Sequence, residues 1–178
     1  MLHKYENYVE ALENFNQAIA LDPSYDLDYN GRGTIYLIAG RYADALDDFT
    51  TAIKIDPSEG LYYNARASVY KELKEFEKSL FDLNTAIELR PKYSAAYYNR
   101  GIIFIELERF EEAVEDFSQA IKLTPDHRDS YEKRGVIYYN LAERCLDEDM
   151  KVIYREKGEK DLSHAATMEP YPYGLKRR

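Results

Sequence analysis

Ala18-Ile19-Ala20-Leu21-Asp22-Pro23 returns as Ala52-Ile53-Lys54-Ile55-Asp56-Pro57, as Ala86-Ile87-Glu88-Leu89-Arg90-Pro91 and as Ala120-Ile121-Lys122-Leu123-Thr124-Pro125. The prolines at 23, 57, 91 and 125 are 34 residues apart each time, with no gap. A fifth copy, Ala165-Ala166-Thr167-Met168-Glu169-Pro170, follows 45 residues later, one period plus 11. A fixed period of this length makes the repeat, and not the single helix, the unit of the fold.

The residues between the prolines follow a helical period. Tyr29, Gly33 and Tyr36 fall on one stripe of a helix over 26–39. Tyr42, Ala45, Leu46, Phe49, Ala52 and Ile53 give a second helix, over 42–55, with a wide apolar face. Each proline stops its helix one or two residues early, because the ring clashes with a helical predecessor. One such hairpin cannot bury its own face, so neighbours must stack.

This period and pattern resemble the tetratricopeptide repeat, a helix–turn–helix unit of helices A and B. With the proline at position 32, the repeats run 26–59, 60–93, 94–127 and, with the insertion, 128–172. Residues 1–25 make a partial repeat with helix B only, and 173–178 a basic tail. Position 4 is Tyr29, Tyr63, Tyr97 and Tyr131, and position 11 is Tyr36, Tyr70, Phe104 and Tyr138. The small residue at position 8 is Gly33, Ala67, Gly101 and Gly135. Position 20 is Ala45, Ser79, Ala113 and, as a poor match, Gly158; position 24 is Phe49, Leu83, Phe117 and Leu162. The chain departs from the family at position 7, which is Arg32, Arg66, Arg100 and Arg134 where Leu is usual. Position 23 answers with Asp48, Asp82, Asp116 and Asp161, so a repeated structural ion pair is expected between helices A and B. The resemblance implies an all-α fold, a right-handed α-solenoid of stacked repeats.

The ends and the insertion break the period. Residues 7–22 read as a helix B without its helix A, leaving Leu12, Phe15 and Ile19 as an oligomer contact. The alternative is a fragment of a longer multidomain protein. Tyr171-Pro172-Tyr173-Gly174 is expected to end the last helix. The insertion lies within 141–157, and 11 residues are about three helical turns. The fourth hairpin should therefore be longer and act as a cap, with Leu146, Met150 and Ile153 continuing its apolar stripe. Cys145 reads as a free structural thiol.

Composition removes several function classes. The net charge is −9, from 33 acidic and 24 basic residues. Residues 1–57 carry −6, 58–127 carry −4 and 128–178 carry +1, which disfavours nucleic acid as a partner. The short basic stretch Lys176-Arg177-Arg178 reads as a solvated terminus. One cysteine and three scattered histidines make neither a disulfide scaffold nor a metal-ligand spacing. No apolar run is long enough to span a membrane, and the expected compartment is the cytosol. No nucleophile, acid–base pair or phosphate loop is evident, so neither catalysis nor a cofactor is expected.

The expectation is a scaffold that holds a peptide or helix of a partner protein in the groove lined by helices A, with a self-assembling module as the alternative. In the family, positions 2, 5, 9, 12 and 13 line that groove. The residues so assigned are Asn30, Thr34, Leu37, Asn64, Ser68, Lys71, Tyr98, Ile102, Ile105, Glu132, Val136 and Tyr139, with Asn99 at position 6. Family members that grip a Glu-Glu-Val-Asp tail carry Lys at position 5 and a cation at position 2. Here position 5 is Asn30, Asn64 and Tyr98, and position 2 of the fourth repeat is Asp129. Asn99 and Lys133 alone match that clamp. The expected ligand is a segment with apolar anchors, bound with weak salt dependence.

Overall fold

The computed structural model describes the backbone of residues 2–168 and the side chains from Tyr8 to Met168. The described residues form nine α-helices and no strand. They divide into two compact units, Met1–Pro91 and Lys92–Arg178. Lys176–Arg178, Tyr171–Gly174 and the last two residues of the fifth repeat copy lie outside the described residues.

The first unit holds α1 (Leu2–Leu21), α2 (Asp26–Ile38), α3 (Tyr42–Ile55), α4 (Gly60–Glu72) and α5 (Phe76–Leu89). α2–α3 and α4–α5 are the first two helix A–helix B hairpins, and α1 is the helix B before them. Their core is Ala45, Phe49, Ala52, Tyr62, Val69, Leu83 and Ala86, all essentially inaccessible. The second unit holds α6 (Ser94–Glu106), α7 (Phe110–Leu123), α8 (Arg128–Arg144) and α9 (Glu148–Thr167). Ala96, Ile103, Ala113, Phe117, Ala120, Ile137, Ala142 and Ala165 close its core. α1, α3, α5 and α7 each stop two residues before their proline.

α1 is one unbroken helix of 20 residues, longer than the orphan helix expected from residue 7. Leu12, Phe15 and Ile19, expected as an open ridge, are half-buried. The Phe15 ring fills the space a side chain would need at Gly31 of α2: a Cβ there would come 2.3 Å from Cζ.

The insertion lengthens both helices of the last hairpin. α8 has 17 residues where α2, α4 and α6 have 13, and α9 has 20 where α3, α5 and α7 have 14. The expected apolar stripe does not form a buried seam. Leu146 sits in the turn before α9 at 98% exposure, and Met150 and Ile153 face solvent at 36% and 40%. The three-residue turn removes Leu146 from the helix, so the stripe loses its first member. Gly158, a poor match in sequence, is a point of close approach between α8 and α9. A Cβ on Gly158 would lie 3.0 Å from the Gly135 carbonyl oxygen, and one on Gly135 would lie 3.1 Å from that of Gly158. Two glycines here replace the usual pair of small residues at positions 8 and 20.

Candidate functional site

The four arginines at position 7 are built alike. Arg32 Nε and Nη2 donate to Asp48 at 2.8 and 2.7 Å, and Arg66 donates to Asp82 at 2.8 Å twice. Arg100 donates to Asp116 at 2.8 and 2.7 Å, and Arg134 to Asp161 at 2.7 and 2.8 Å. The last pair spans 27 residues and the others 16, so the 11 inserted residues leave the register intact. The aspartates are buried, and each fork is bidentate, the strongest form of this contact. The bonded carboxylate raises Arg32, Arg66 and Arg100 above the ordinary guanidinium value; at Arg134 burial is the largest influence and opposes, and the Asp161 bond together with the charges of Asp161, Tyr138 and Tyr131 outweighs it.

The sequence pattern did not show the third arm. Arg32 Nη1 donates to Asn16 Oδ1 at 2.7 Å, Arg66 Nη1 to Thr50 Oγ1 at 3.2 Å and Arg134 Nη1 to Ser118 Oγ at 2.8 Å. Asn16, Thr50 and Ser118 all stand at position 25 of the preceding helix B. Each of these arginines therefore joins three helices. Tyr29 and Tyr36 flank Arg32 at 5.8 and 5.9 Å, and Tyr63 and Tyr70 flank Arg66 at the same distances. The repeated tyrosines are half-buried walls around a cation, rather than fully enclosed core.

The helix A residues assigned to partner binding divide by what they touch. In the first unit Leu27 and Ile38 are exposed at 46% and 59%. Leu37 instead packs on the Ala45, Phe49 and Val69 cluster. Thr34 and Ser68 turn their hydroxyls back to the Asn30 and Asn64 carbonyls at 2.8 and 3.1 Å. Asn64 is buried, and Lys71 is paired with neighbouring Glu72 at 3.0 Å. Asn30 Oδ1 is buried and accepts no hydrogen bond, the sole such side-chain atom among the described residues. An unmet acceptor of this kind costs on the order of 1–3 kcal/mol.

In the second unit Tyr98 meets Phe117 edge-on at 5.6 Å and His127 at 4.9 Å. Asn99, Ile102 and Ile105 are half-buried. Arg128 holds Glu132 at 2.7 Å, and Val136 is 51% exposed. The Tyr139 ring lies against Gly158 of α9, so it fills the hairpin as much as it faces outward.

Tetratricopeptide-repeat family models match residues 28–59, 61–93 and 94–127, more than half of the chain. The chain belongs to the tetratricopeptide-repeat family. None of the curated proteins matches the sequence. Among solved structures, the tetratricopeptide chain is similar to a crystal structure of MamA, at 21% identity and a TM-score of 0.74, covering 92% of this chain and 94% of that one. It is similar to YrrB, described as a tetratricopeptide-repeat protein with an unusual peptide-binding site, at 22% identity and a TM-score of 0.66, covering 94% and 87%. These two likenesses show the all-α helical-repeat fold. The first tetratricopeptide domain of Spaghetti (RPAP3), bound to the HSP90 peptide SRMEEVD, is 31% identical with a TM-score of 0.64, covering 66% of this chain and 93% of that one.

Among the described residues no helix is long and apolar enough to cross a membrane.

Proposed function

We infer that this interaction scaffold binds an extended or helical segment of a partner protein on its helix A faces, through asparagine amides and apolar anchors. The observation that carries the reading is Asn30. Its buried, unpartnered Oδ1 lies on the same helix A face as exposed Leu27 and Ile38. A peptide backbone N–H is the donor that would satisfy it, and side chains of the same segment would cover the two apolar residues. Val136, with half-buried Ile102 and Ile105, offers anchors of the same kind in the second unit.

The 31%-identical neighbour binds a peptide ending Glu-Glu-Val-Asp. That supports peptide binding as the class of function. The cations such a tail needs are missing from positions 5 and 2 here, where Asn30, Asn64, Tyr98 and Asp129 stand. A carboxylate brought to those positions would lose water without gaining a charged partner.

The test is a titration with a peptide library that includes acidic C-terminal tails, at low and high salt. Apolar-anchored peptides should bind with little salt dependence, and Asn30→Ala should weaken them by about three- to thirtyfold. Tight, salt-sensitive binding of an acidic tail, or a library hit unmoved by Asn30→Ala and by Tyr98→Ala, overturns the reading.

A further inference from the structure

The last hairpin carries a cavity of about 410 Å³ lined by Tyr131, Arg134, Tyr138, Lys157, Lys160, Asp161 and His164. These residues occupy positions 4, 7 and 11 of helix A and 19, 22, 23 and 26 of helix B. The partner-binding positions 2, 5, 9, 12 and 13 are different ones, so this is a separate surface. Its floor is the Arg134–Asp161 pair. Its walls are Tyr131, with His164 edge-on at 4.6 Å, and Tyr138, with the Lys157 ammonium 5.6 Å from the ring centre.

The charge of this cavity is a departure from the repeat. Positions 19 and 22 are Asp44 and Asp47 in the first repeat and Glu112 and Glu115 in the third. In the second they are Lys78, which is paired with Glu75, and Phe81. In the fourth both are lysine. Among the described residues neither Lys157 nor Lys160 has an acidic partner within ion-pair distance, and this on a chain of net charge −9. At 100° per residue Glu159 falls away from both lysines, and Glu156, on the same side of the helix as Lys160, makes no ion pair with it among the described residues.

We propose that this cavity binds a phosphomonoester, free or borne on a peptide side chain. The choice of anion follows from the donors. Three of the five N–H groups of the Arg134 guanidinium are committed, two to Asp161 and one to Ser118. Its Nε–Nη2 fork, which would take a carboxylate in two parallel bonds, is filled by Asp161. Beside the two remaining N–H groups stand two ammonium groups, compact point charges that suit a dianion with three acceptor oxygens. The tyrosine walls provide flat surface beside them for a ring or a short carbon chain.

The test uses the full chain and nuclear magnetic resonance. Phenyl phosphate, a phosphotyrosine peptide, its unphosphorylated counterpart and benzoate are titrated separately. Both phosphate compounds should shift the Tyr131, Tyr138 and His164 signals saturably. The double variant K157E/K160E should weaken them at least about tenfold, because it reverses two charges at a half-open site. That variant restores the acidic pair that α7 carries at the same positions, so the fold tolerates it, and circular dichroism checks this. Tighter binding of the phosphopeptide than of phenyl phosphate identifies a protein source, and the reverse a small ester. Absence of saturation, benzoate binding as tight as phenyl phosphate, or affinity unchanged in K157E/K160E overturns the proposal.

Discussion

Asp82→Ala isolates the ion pair that joins helix A to helix B within one repeat. Asp82 is 1% exposed and takes both bonds from Arg66, whose side chain is 16% exposed. Removing the carboxylate leaves a guanidinium enclosed by Tyr63 and Tyr70, with Thr50 Oγ1 as a partner at 3.2 Å. Breaking a buried pair on one side costs about 3–5 kcal/mol. Arg66 retains some access to water, so about 2–4 kcal/mol is the expected loss. For a chain of this size that lowers Tm by roughly 4–16 °C. The double variant Arg66→Leu with Asp82→Leu removes both charges and substitutes apolar bulk. It should cost less than Asp82→Ala alone, within about 1.5 kcal/mol of the parent. Urea unfolding followed by circular dichroism measures all three variants. If Asp82→Ala costs under about 1 kcal/mol, or the double variant costs the sum of its parts, the arginine is not held by the aspartate and the ladder is incidental.

Gly101→Leu should lose about 1–3 kcal/mol or more by overpacking, since even a Cβ there would stand 3.0 Å from the Phe117 ring; an unchanged Tm in thermal melts refutes the close approach. Lys74→Gly should raise Tm by a few degrees, because Lys74 holds φ at 59° where the equivalent residue of the first repeat is Gly40 at 73°; a fall in Tm would show that its left-handed backbone is unstrained. The Ser24 and Ser58 hydroxyls, and then their amides, hold Asp22 and Asp56 below the usual carboxylate range. Groups lowered by folding stabilise above their unfolded value and lose that contribution as pH falls through the folded one. Asp22→Asn with Asp56→Asn should therefore flatten the decline of Tm below about pH 4, and an unaltered acid limb counts against the turn contacts.

Much of the fold was legible because repetition supplies its own control. Four copies of Arg at position 7 and Asp at position 23 show a pair before any coordinate does, and the 11-residue insertion preserves it. The same evidence misled where a single copy was read alone. Leu146, Met150 and Ile153 have helical spacing, yet a pattern cannot say where the turn falls, and the turn at 145–147 takes Leu146 out. Gly158 read as a weak match because only its distance to Gly135 explains it. The third arm of Arg32, Arg66 and Arg134 was hidden by chemistry: Asn16, Thr50 and Ser118 share an acceptor oxygen, which Asn carries on an amide and Thr and Ser on a hydroxyl.

Function is read from a repeat protein by the opposite rule. What recurs in every copy, such as the arginine–aspartate pair, must serve the hairpin, because every copy builds one. What one copy alone does is free to serve a ligand. Asn30 and Asn64 both fill position 5, but it is Asn30 whose buried oxygen the fold leaves unmet. Lys157 and Lys160 reverse the charge that the first and third repeats hold at positions 19 and 22. Neither departure strengthens the hairpin that contains it: an unmet acceptor costs free energy, and two lysines beside Arg134 repel it. A fold that tolerates such local cost in one copy alone is best explained by a bound group that removes the cost. That is why the two surfaces are assigned to ligands and the ladder to the scaffold.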